Sequence, residues 1–202
     1  MNVLINISCF LLLLMFSSCA TSLPKHFAKN YYKTNEQAIE KVEKIYSNMY
    51  KVKPIVVEFT DIAFNYVSIE MKTDSVRYIY EFNIKEKRLR DTLQKFGYDT
   101  LVVMSLMRNM KSLKCTWINT LDYYVDGIKQ SLVFMSIRPK AFGTFFANKK
   151  YYTLTFYKQP QYYDAEGRLL DKRSRKHLRI VNNEIFWRIN DRVCYTVINH
   201  FR

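Results

Sequence analysis

The chain has 202 residues, of which 49% are hydrophobic, 16% aromatic and 25% charged. This composition is typical of a globular domain and excludes a disordered, collagen-like or multi-span membrane protein. The 32 Lys+Arg exceed the 18 Asp+Glu, so the formal net charge is +14, while only 4 Gly and 3 His are present. The low glycine and histidine counts therefore argue against a glycine-rich nucleotide loop and against a multi-histidine metal site. We expect neither a cofactor nor a metal.

The first 18 residues are typical of an export signal. Residues 3–16 form a nearly unbroken apolar run without any charge. Such a run is shorter than the roughly 20 residues that a membrane-spanning helix needs. It ends in small polar residues, so cleavage is the simplest interpretation. One form of cleavage is ordinary secretion with the cut after Ala20, and an uncleaved anchor is a further alternative.

Phe16, Ser17, Ser18 and Cys19 directly follow the apolar run. They resemble the end of a bacterial lipoprotein signal, in which an aliphatic residue and two small residues precede a cysteine that is lipidated and becomes residue one. The resemblance implies that Cys19 carries acyl chains and anchors the protein to a membrane of the cell envelope. By the same resemblance, the lack of an acidic run after Cys19 favours the periplasmic face.

Residues 19–33 show neither the helical nor the strand period and include Pro24, so they are predicted to form a tether. Thr34 and Gln37 have the spacing of a capping box, and apolar residues then recur with the helical period. We predict one domain over residues 34–202, which begins with an amphipathic helix. Its apolar positions are Ala38, Ile39, Val42, Ile45, Tyr46, Met49 and Tyr50.

The rest of the domain is predicted to be α+β, with a short helical pair packed on a mainly antiparallel sheet. A first short helix should end near Gly97, and Asp99 can cap the second. Strands are indicated by alternating β-branched and aromatic residues. The candidate strands are residues 55–60, 62–71, 76–84, 115–120, 131–138, 150–158, 178–181, 184–190 and 193–201.

Residues 140–180 carry ten Lys or Arg and three acids, so this segment holds half of the excess positive charge. One interpretation is a solvated loop whose charges keep the protein soluble. The other is an anion-binding patch for headgroup phosphates, an acidic glycan or an acidic protein. Nucleic acid is a poor candidate ligand, because an exported chain rarely meets it. The candidate anion-binding residues are Arg168, Lys172, Arg173, Arg175, Lys176 and Arg179.

Residues 163–169, with the sequence YDAEGRL, resemble one unit of the YD-type hairpin repeats of secreted bacterial proteins. The resemblance implies a hairpin tip in which Gly167 takes the position with positive φ. The segment does not recur, so it implies nothing about the function of those proteins.

Two cysteines remain in the predicted domain, Cys115 and Cys194. In an oxidising envelope they could form a disulfide that closes a loop of about 80 residues. Alternatively, they are two buried thiols that behave as small hydrophobic residues.

Catalytic motifs are scarce: the sequence has no G-x-S-x-G elbow, no H-E-x-x-H, no P-loop and no C-x-x-C. We predict a non-enzymatic binding or structural component, without catalytic residues. Glu58, Glu70 and Glu81 lie on neighbouring predicted strands, which leaves a secreted carboxylate-dependent hydrolase as an alternative. An accessory subunit of an envelope assembly is a third. Trp117 and Trp187 are predicted to lie in the core.

Overall fold

A computed structural model of the protein describes residues 23–73, 75–125, 128–137, 151–172, 174–181 and 183–198. Its helices are α1 (Leu23–Val52), α2 (Lys87–Lys95) and α3 (Thr100–Ser112). Its strands are β1 (Ile55–Phe59), β2 (Tyr66–Lys72), β3 (Arg77–Asn83), β4 (Cys115–Val125), β5 (Ile128–Ile137), β6 (Tyr151–Phe156), β7 (Ile180–Val181), β8 (Glu184–Ile185), β9 (Trp187–Arg188) and β10 (Val193–Ile198). The predicted α+β class is confirmed.

The first helix starts earlier than the sequence pattern indicates. By its contacts the chain divides into two units, residues 1–34 and 35–202. Residues from Leu23 are already helical, and the backbone leaves helical values only at Asn35, where φ is −115° and ψ is 15°. The helix predicted to begin at Thr34 therefore follows a break in the backbone at that place, whereas residues 23–33, predicted to have no regular period, are helical. Pro24 does not prevent the earlier start, because a proline in the first helical turn removes an N–H that has no partner within the helix.

Eight strands form one antiparallel sheet in the order β3-β2-β1-β4-β5-β6-β10-β9, and β7 pairs with β8 in a separate two-stranded sheet. We call one face of the large sheet the core face. Its central row of cross-strand partners is Tyr80, Ile69, Val57, Ile118, Met135, Leu154, Tyr195 and Trp187. The members on β2, β1, β4, β5, β6 and β10 are almost fully buried. This row accounts for much of the hydrophobic stabilisation of the sheet.

The helical pair forms as the sequence indicates. Gly97 has a φ of 69° and directly follows Phe96, the C-cap residue of α2. The Asp99 carboxylate then accepts hydrogen bonds from the N–H groups of Leu101 and Val102, at 2.9 and 3.1 Å. Both capping predictions are confirmed. The two helices bury the side chains of Leu89, Leu93, Val103, Leu106, Met107 and Met110.

The opposite face of the sheet, which we call the outer face, is partly covered by residues 157–192, the C-terminal cap. A second hydrophobic cluster joins the cap to β5 and β10 and consists of Leu132, Tyr157, Leu169, Phe186 and Cys194. The predicted hairpin tip lies in this cap: Tyr163 pairs with Leu169, and Gly167 has a φ of 80°. The predicted strand over residues 184–190 is instead two short strands, β8 and β9, on either side of Phe186.

Candidate functional site

The six candidate anion-binding residues do not share one environment. The Nε of Arg168 lies 2.6 Å from Asp164 Oδ2, and its Nη2 lies 3.1 Å from Glu166 Oε2. Desolvation opposes ionisation of Asp164, but the hydrogen bonds and charge of Arg168 outweigh it and lower the pKa of that carboxyl. The Arg168 guanidinium therefore stabilises the hairpin tip. Arg168 stays a predicted member of the anion-binding set, and these two carboxylates engage its guanidinium.

Arg175 lies in a loop that hydrogen bonds hold in shape, which we call the basic loop (residues 171–177). The N–H of Asp171 donates to the carbonyl of His177 at 2.9 Å, and the N–H of His177 donates to the carbonyl of Ser174 at 2.9 Å. The Asp171 carboxylate accepts from the N–H of Ser174 at 3.1 Å. These bonds give the described part of the loop a defined backbone.

The Arg175 guanidinium stacks on an exposed aromatic ring. Its carbon lies 4.0 Å from the centroid of Tyr162, and its Nη2 donates to the Tyr162 hydroxyl at 3.0 Å. Tyr162 is held beside the loop because its carbonyl accepts from the N–H of Leu170 at 2.9 Å. A guanidinium stacked on a ring keeps donors at its edge, and these suit carboxylate or phosphate oxygens.

The remaining candidates differ in exposure. Lys172 and Lys176 are exposed in the basic loop, whereas Arg179 is half-buried beyond it, 5.9 Å from the centroid of Tyr157. Arg173 lies outside the described residues. The structure thus brings Lys172, Arg175 and Lys176 together on one short loop, and it places Arg168 and Arg179 in internal contacts.

The disulfide between Cys115 and Cys194 is not formed, because both are free buried thiols. Cys115 is on β4 and Cys194 on β10, and β5 and β6 lie between these strands. Three strand spacings of about 4.8 Å exceed the reach of a disulfide. Burial raises the pKa of each thiol to about 12, so neither is a ready nucleophile.

The three candidate carboxylates do share one face of the sheet. Glu58 and Glu81 both pair with Ser68, on opposite sides of β2, and Glu70 is two residues further along that strand. All three therefore point to the outer face. Glu70 is engaged by Arg77, whose Nε lies 3.1 Å from Glu70 Oε1.

A group that the sequence pattern does not reveal lies next to these carboxylates. Trp117, predicted to be in the core, is half-buried on the outer face, opposite Glu58 on one side and Ser136 on the other. The same row continues through Thr153 and Thr196. We call Ser136, Thr153 and Thr196 the hydroxyl row. The alternation of Thr with apolar residues in β6 was a signal for a polar face, but it did not reveal that this face is buried.

Comparison with protein-family models, curated proteins and solved structures finds no match to this chain. Among the residues that the structure describes, no helix is both long and apolar enough to cross a membrane. Over the same residues, no group of His, Cys, Asp and Glu side chains is arranged to hold a metal ion.

Proposed function

We propose that the protein is an exported, lipid-anchored component of a bacterial envelope that binds an anionic surface through its basic loop. The anchor is the lipid expected at Cys19, on the periplasm-facing side of the membrane. The role is one of binding, without catalysis. The observation that carries the proposal is the Arg175 guanidinium held on Tyr162, with Lys172 and Lys176 exposed on the same loop.

Charge balance supports the basic loop as the contact. Among the described ion pairs, the carboxylates of the cap engage Arg168 and Arg188, and none engages Arg175 or Lys176. A basic residue near an anionic membrane contributes about 1 kcal/mol to binding. Three such residues on one loop therefore strengthen membrane binding measurably, even in a protein with a lipid anchor. Stable attachment by the anchor itself takes more than one acyl chain.

We also infer that residues 35–52 of α1 form the amphipathic helix of the domain and lie against the core face. Ile39, Val42 and Tyr46 are almost fully buried, while Glu40 and Lys44 are exposed. The Tyr46 hydroxyl donates to the carbonyl of Ile55 in β1 at 2.6 Å. This packing leaves the basic loop uncovered by this helix.

The test uses the expected mature chain, residues 19–202, with Cys19→Ser, so that retention on vesicles reports the loop and neither the lipid anchor nor the apolar leader. We expect this protein to float with phosphatidylglycerol vesicles at low salt, to dissociate at high salt, and to ignore phosphatidylcholine vesicles. Neutralising the loop with K172Q/R175Q/K176Q should weaken retention by up to about 100-fold, from about 1 kcal/mol per residue.

The matched control is K41Q/K44Q/K51Q, which removes three exposed charges from α1 and leaves the same net charge. Equal loss in both triple variants, or unchanged retention in the loop variant, would overturn the assignment to the loop. Intact mass spectrometry of the native protein checks the anchor separately. A mature chain that starts at Cys19 with acyl groups supports it, and an unmodified thiol or a retained Met1 removes it.

A further inference from the structure

The strand β3 lies at one edge of the large sheet. Among the strands that the structure describes, it pairs with β2 on one side and with none on the other. The opposite edge, β9, has only two residues, and other residues of the C-terminal cap cover it. There the N–H of Arg188 donates to the carbonyl of Gly167 at 2.7 Å, and the N–H of Leu169 donates to the carbonyl of Phe186 at 2.8 Å. Within the described chain, the sheet can therefore be extended at β3 and not at β9.

The backbone of β3 alternates between groups that face β2 and groups that face away from it. The N–H of Thr73 donates to the carbonyl of Val76 at 2.9 Å, and the N–H of Ile84 donates to the carbonyl of Asn65 at 2.8 Å. These bonds lie at the two ends of the β2–β3 ladder, and hydrogen-bonded pairs alternate with non-hydrogen-bonded pairs along antiparallel strands. The residues of β3 whose N–H and carbonyl groups point away from β2 are therefore Arg77, Ile79, Glu81 and Asn83.

β3 lacks the features that usually prevent another strand from pairing with an edge. Its seven residues, RYIYEFN, include no Lys and no Pro, and its register with β2 runs over seven pairs without a bulge. Ile79 is 61% exposed on the outer face. On the core face, Tyr78 and Tyr80 stay half-buried, although their rings lie 5.2 and 5.9 Å from that of Phe96. An edge of this kind favours pairing with a further strand.

The charged residues of β3 are complementary to those of a second, antiparallel copy of β3. A pairing centred on Ile79 places Arg77 of each copy opposite Glu81 of the other, so the two-fold symmetry gives two ion pairs. A pairing centred on Tyr80 would place Arg77 opposite Asn83, without an ion pair. A pairing centred on Arg77 or on Glu81 would place like charges opposite each other, which is unfavourable. The charges therefore favour a second copy of this chain, in one register.

We propose that the protein forms a symmetric dimer in which β3 pairs antiparallel with β3 of a second copy, centred on Ile79. The backbone groups that point away from β2 meet in this register, so the two strands exchange about six hydrogen bonds. On the core face, Tyr78 of each copy lies opposite Tyr80 of the other, which buries rings that are half-buried in the single chain.

The arginine at the interface has donors for two carboxylates. The Nε of Arg77 lies 3.1 Å from Glu70 Oε1 of its own chain, and the Arg77 side chain is still 62% exposed. A guanidinium carries five N–H donors, so its Nη groups remain for Glu81 of the second copy. Glu81 is exposed, and none of the described ion pairs engages it. Because β9 is covered, this two-fold contact closes the assembly at two copies.

The experiment uses residues 19–202 with Cys19→Ser and measures the mass of the particle by sedimentation velocity over a concentration series at low salt. We expect the mass to rise to twice that of the chain and no further. Glu81→Arg and Arg77→Glu should each weaken association by at least about 10-fold, because each replaces two attractive cross-strand pairs by two repulsive ones. An equimolar mixture of the two variants should recover the dimer, because the changed side chains then meet opposite charges across the interface.

The controls separate the interface from charge and from folding. Glu36→Arg and Lys41→Glu make the same charge changes at exposed positions of α1, and they should leave the dimer intact. Ile79→Pro removes an N–H that faces away from β2, so it should abolish the dimer while circular dichroism shows an unchanged fold. Recovery of the dimer in the mixture shows in addition that both charge variants are folded.

The same measurement contains the results that would overturn the proposal. These are a mass that stays at one chain, a mass that keeps rising with concentration, single charge variants that associate like the parent, or a mixture without recovery. K172Q/R175Q/K176Q should dimerise like the parent. Loss of the dimer and loss of vesicle binding are therefore distinguishable.

Discussion

The two faces of the large sheet differ by a shift of one residue along every strand, and they differ completely in character. The core-face row is Tyr80, Ile69, Val57, Ile118, Met135, Leu154 and Tyr195, whereas the adjacent outer-face row is Glu81, Ser68, Glu58, Trp117, Ser136, Thr153 and Thr196. Burial alone does not separate them, because both rows are buried over β5, β6 and β10. The core face contributes stability through apolar contact, and the outer face retains polar groups at a cost in stability.

The largest expected effect comes from the core face. Ile118→Ala should lower the free energy of unfolding by about 2–5 kcal/mol, because it removes packed methyl groups and leaves a cavity. The matched control is Ile79→Ala on the outer face, where the side chain is 61% exposed and the cost should stay below about 1 kcal/mol. Urea unfolding of both variants measures the difference. Equal losses would show that the two faces contribute equally to the free energy of unfolding.

Alkaline pH should destabilise the protein, because each face of the large sheet carries one buried thiol. Cys115 is on the core face and Cys194 is on the outer face. Burial raises the pKa of both to about 12. The two thiols lose their protons more readily in the unfolded chain than in the folded protein. The stability that the buried, protonated thiols contribute is therefore complete below pH 9 and is lost as pH rises towards 12. At pH 10 the loss is about 2–3 kcal/mol for the pair.

Urea unfolding at pH 7, 9 and 10 checks this expectation, with Cys115→Ala/Cys194→Ala as the comparison. The double variant should have a flatter dependence between pH 9 and 10. Burial also raises the pKa of Tyr98 and Tyr195 to about 12, from an ordinary value near 10, so their contribution is expected at higher pH. An unchanged slope in the double variant would assign the alkaline loss to other groups.

The smallest expected effect is also the sharpest test of the hydroxyl row. Thr153→Val replaces a buried hydroxyl that has no hydrogen-bond partner among the residues that the structure describes, so it should be neutral or stabilise the protein by about 1 kcal/mol. Thr116→Val is the control, because that buried hydroxyl donates to the carbonyl of Ser136 at 3.2 Å. Its loss should cost about 1 kcal/mol. A Thr153→Val variant as unstable as Thr116→Val would mean that the Thr153 hydroxyl is satisfied in solution.

Local signals in the sequence were sufficient for some elements and misleading for others. Asp99 and Gly97 mark the ends of the helical pair because capping depends only on neighbouring residues. Pro24 suggested an irregular segment, yet in the first turn of a helix it is tolerated. The basic segment was predicted as one patch, and the local sequence did not reveal that the turn at Gly167 brings the Arg168 side chain onto Asp164.

The sequence by itself determined the α+β class, the alternation of the strands, the hairpin tip at Gly167 and the short basic loop, because each depends on contacts between residues close in the chain. Only the tertiary structure decided that Cys115 and Cys194 lie three strands apart, and that Glu58, Trp117 and Ser136 stand side by side on a face with buried hydroxyl groups. Strand order and register bring together residues that are distant in the chain, and a local pattern carries no information about which strands become neighbours.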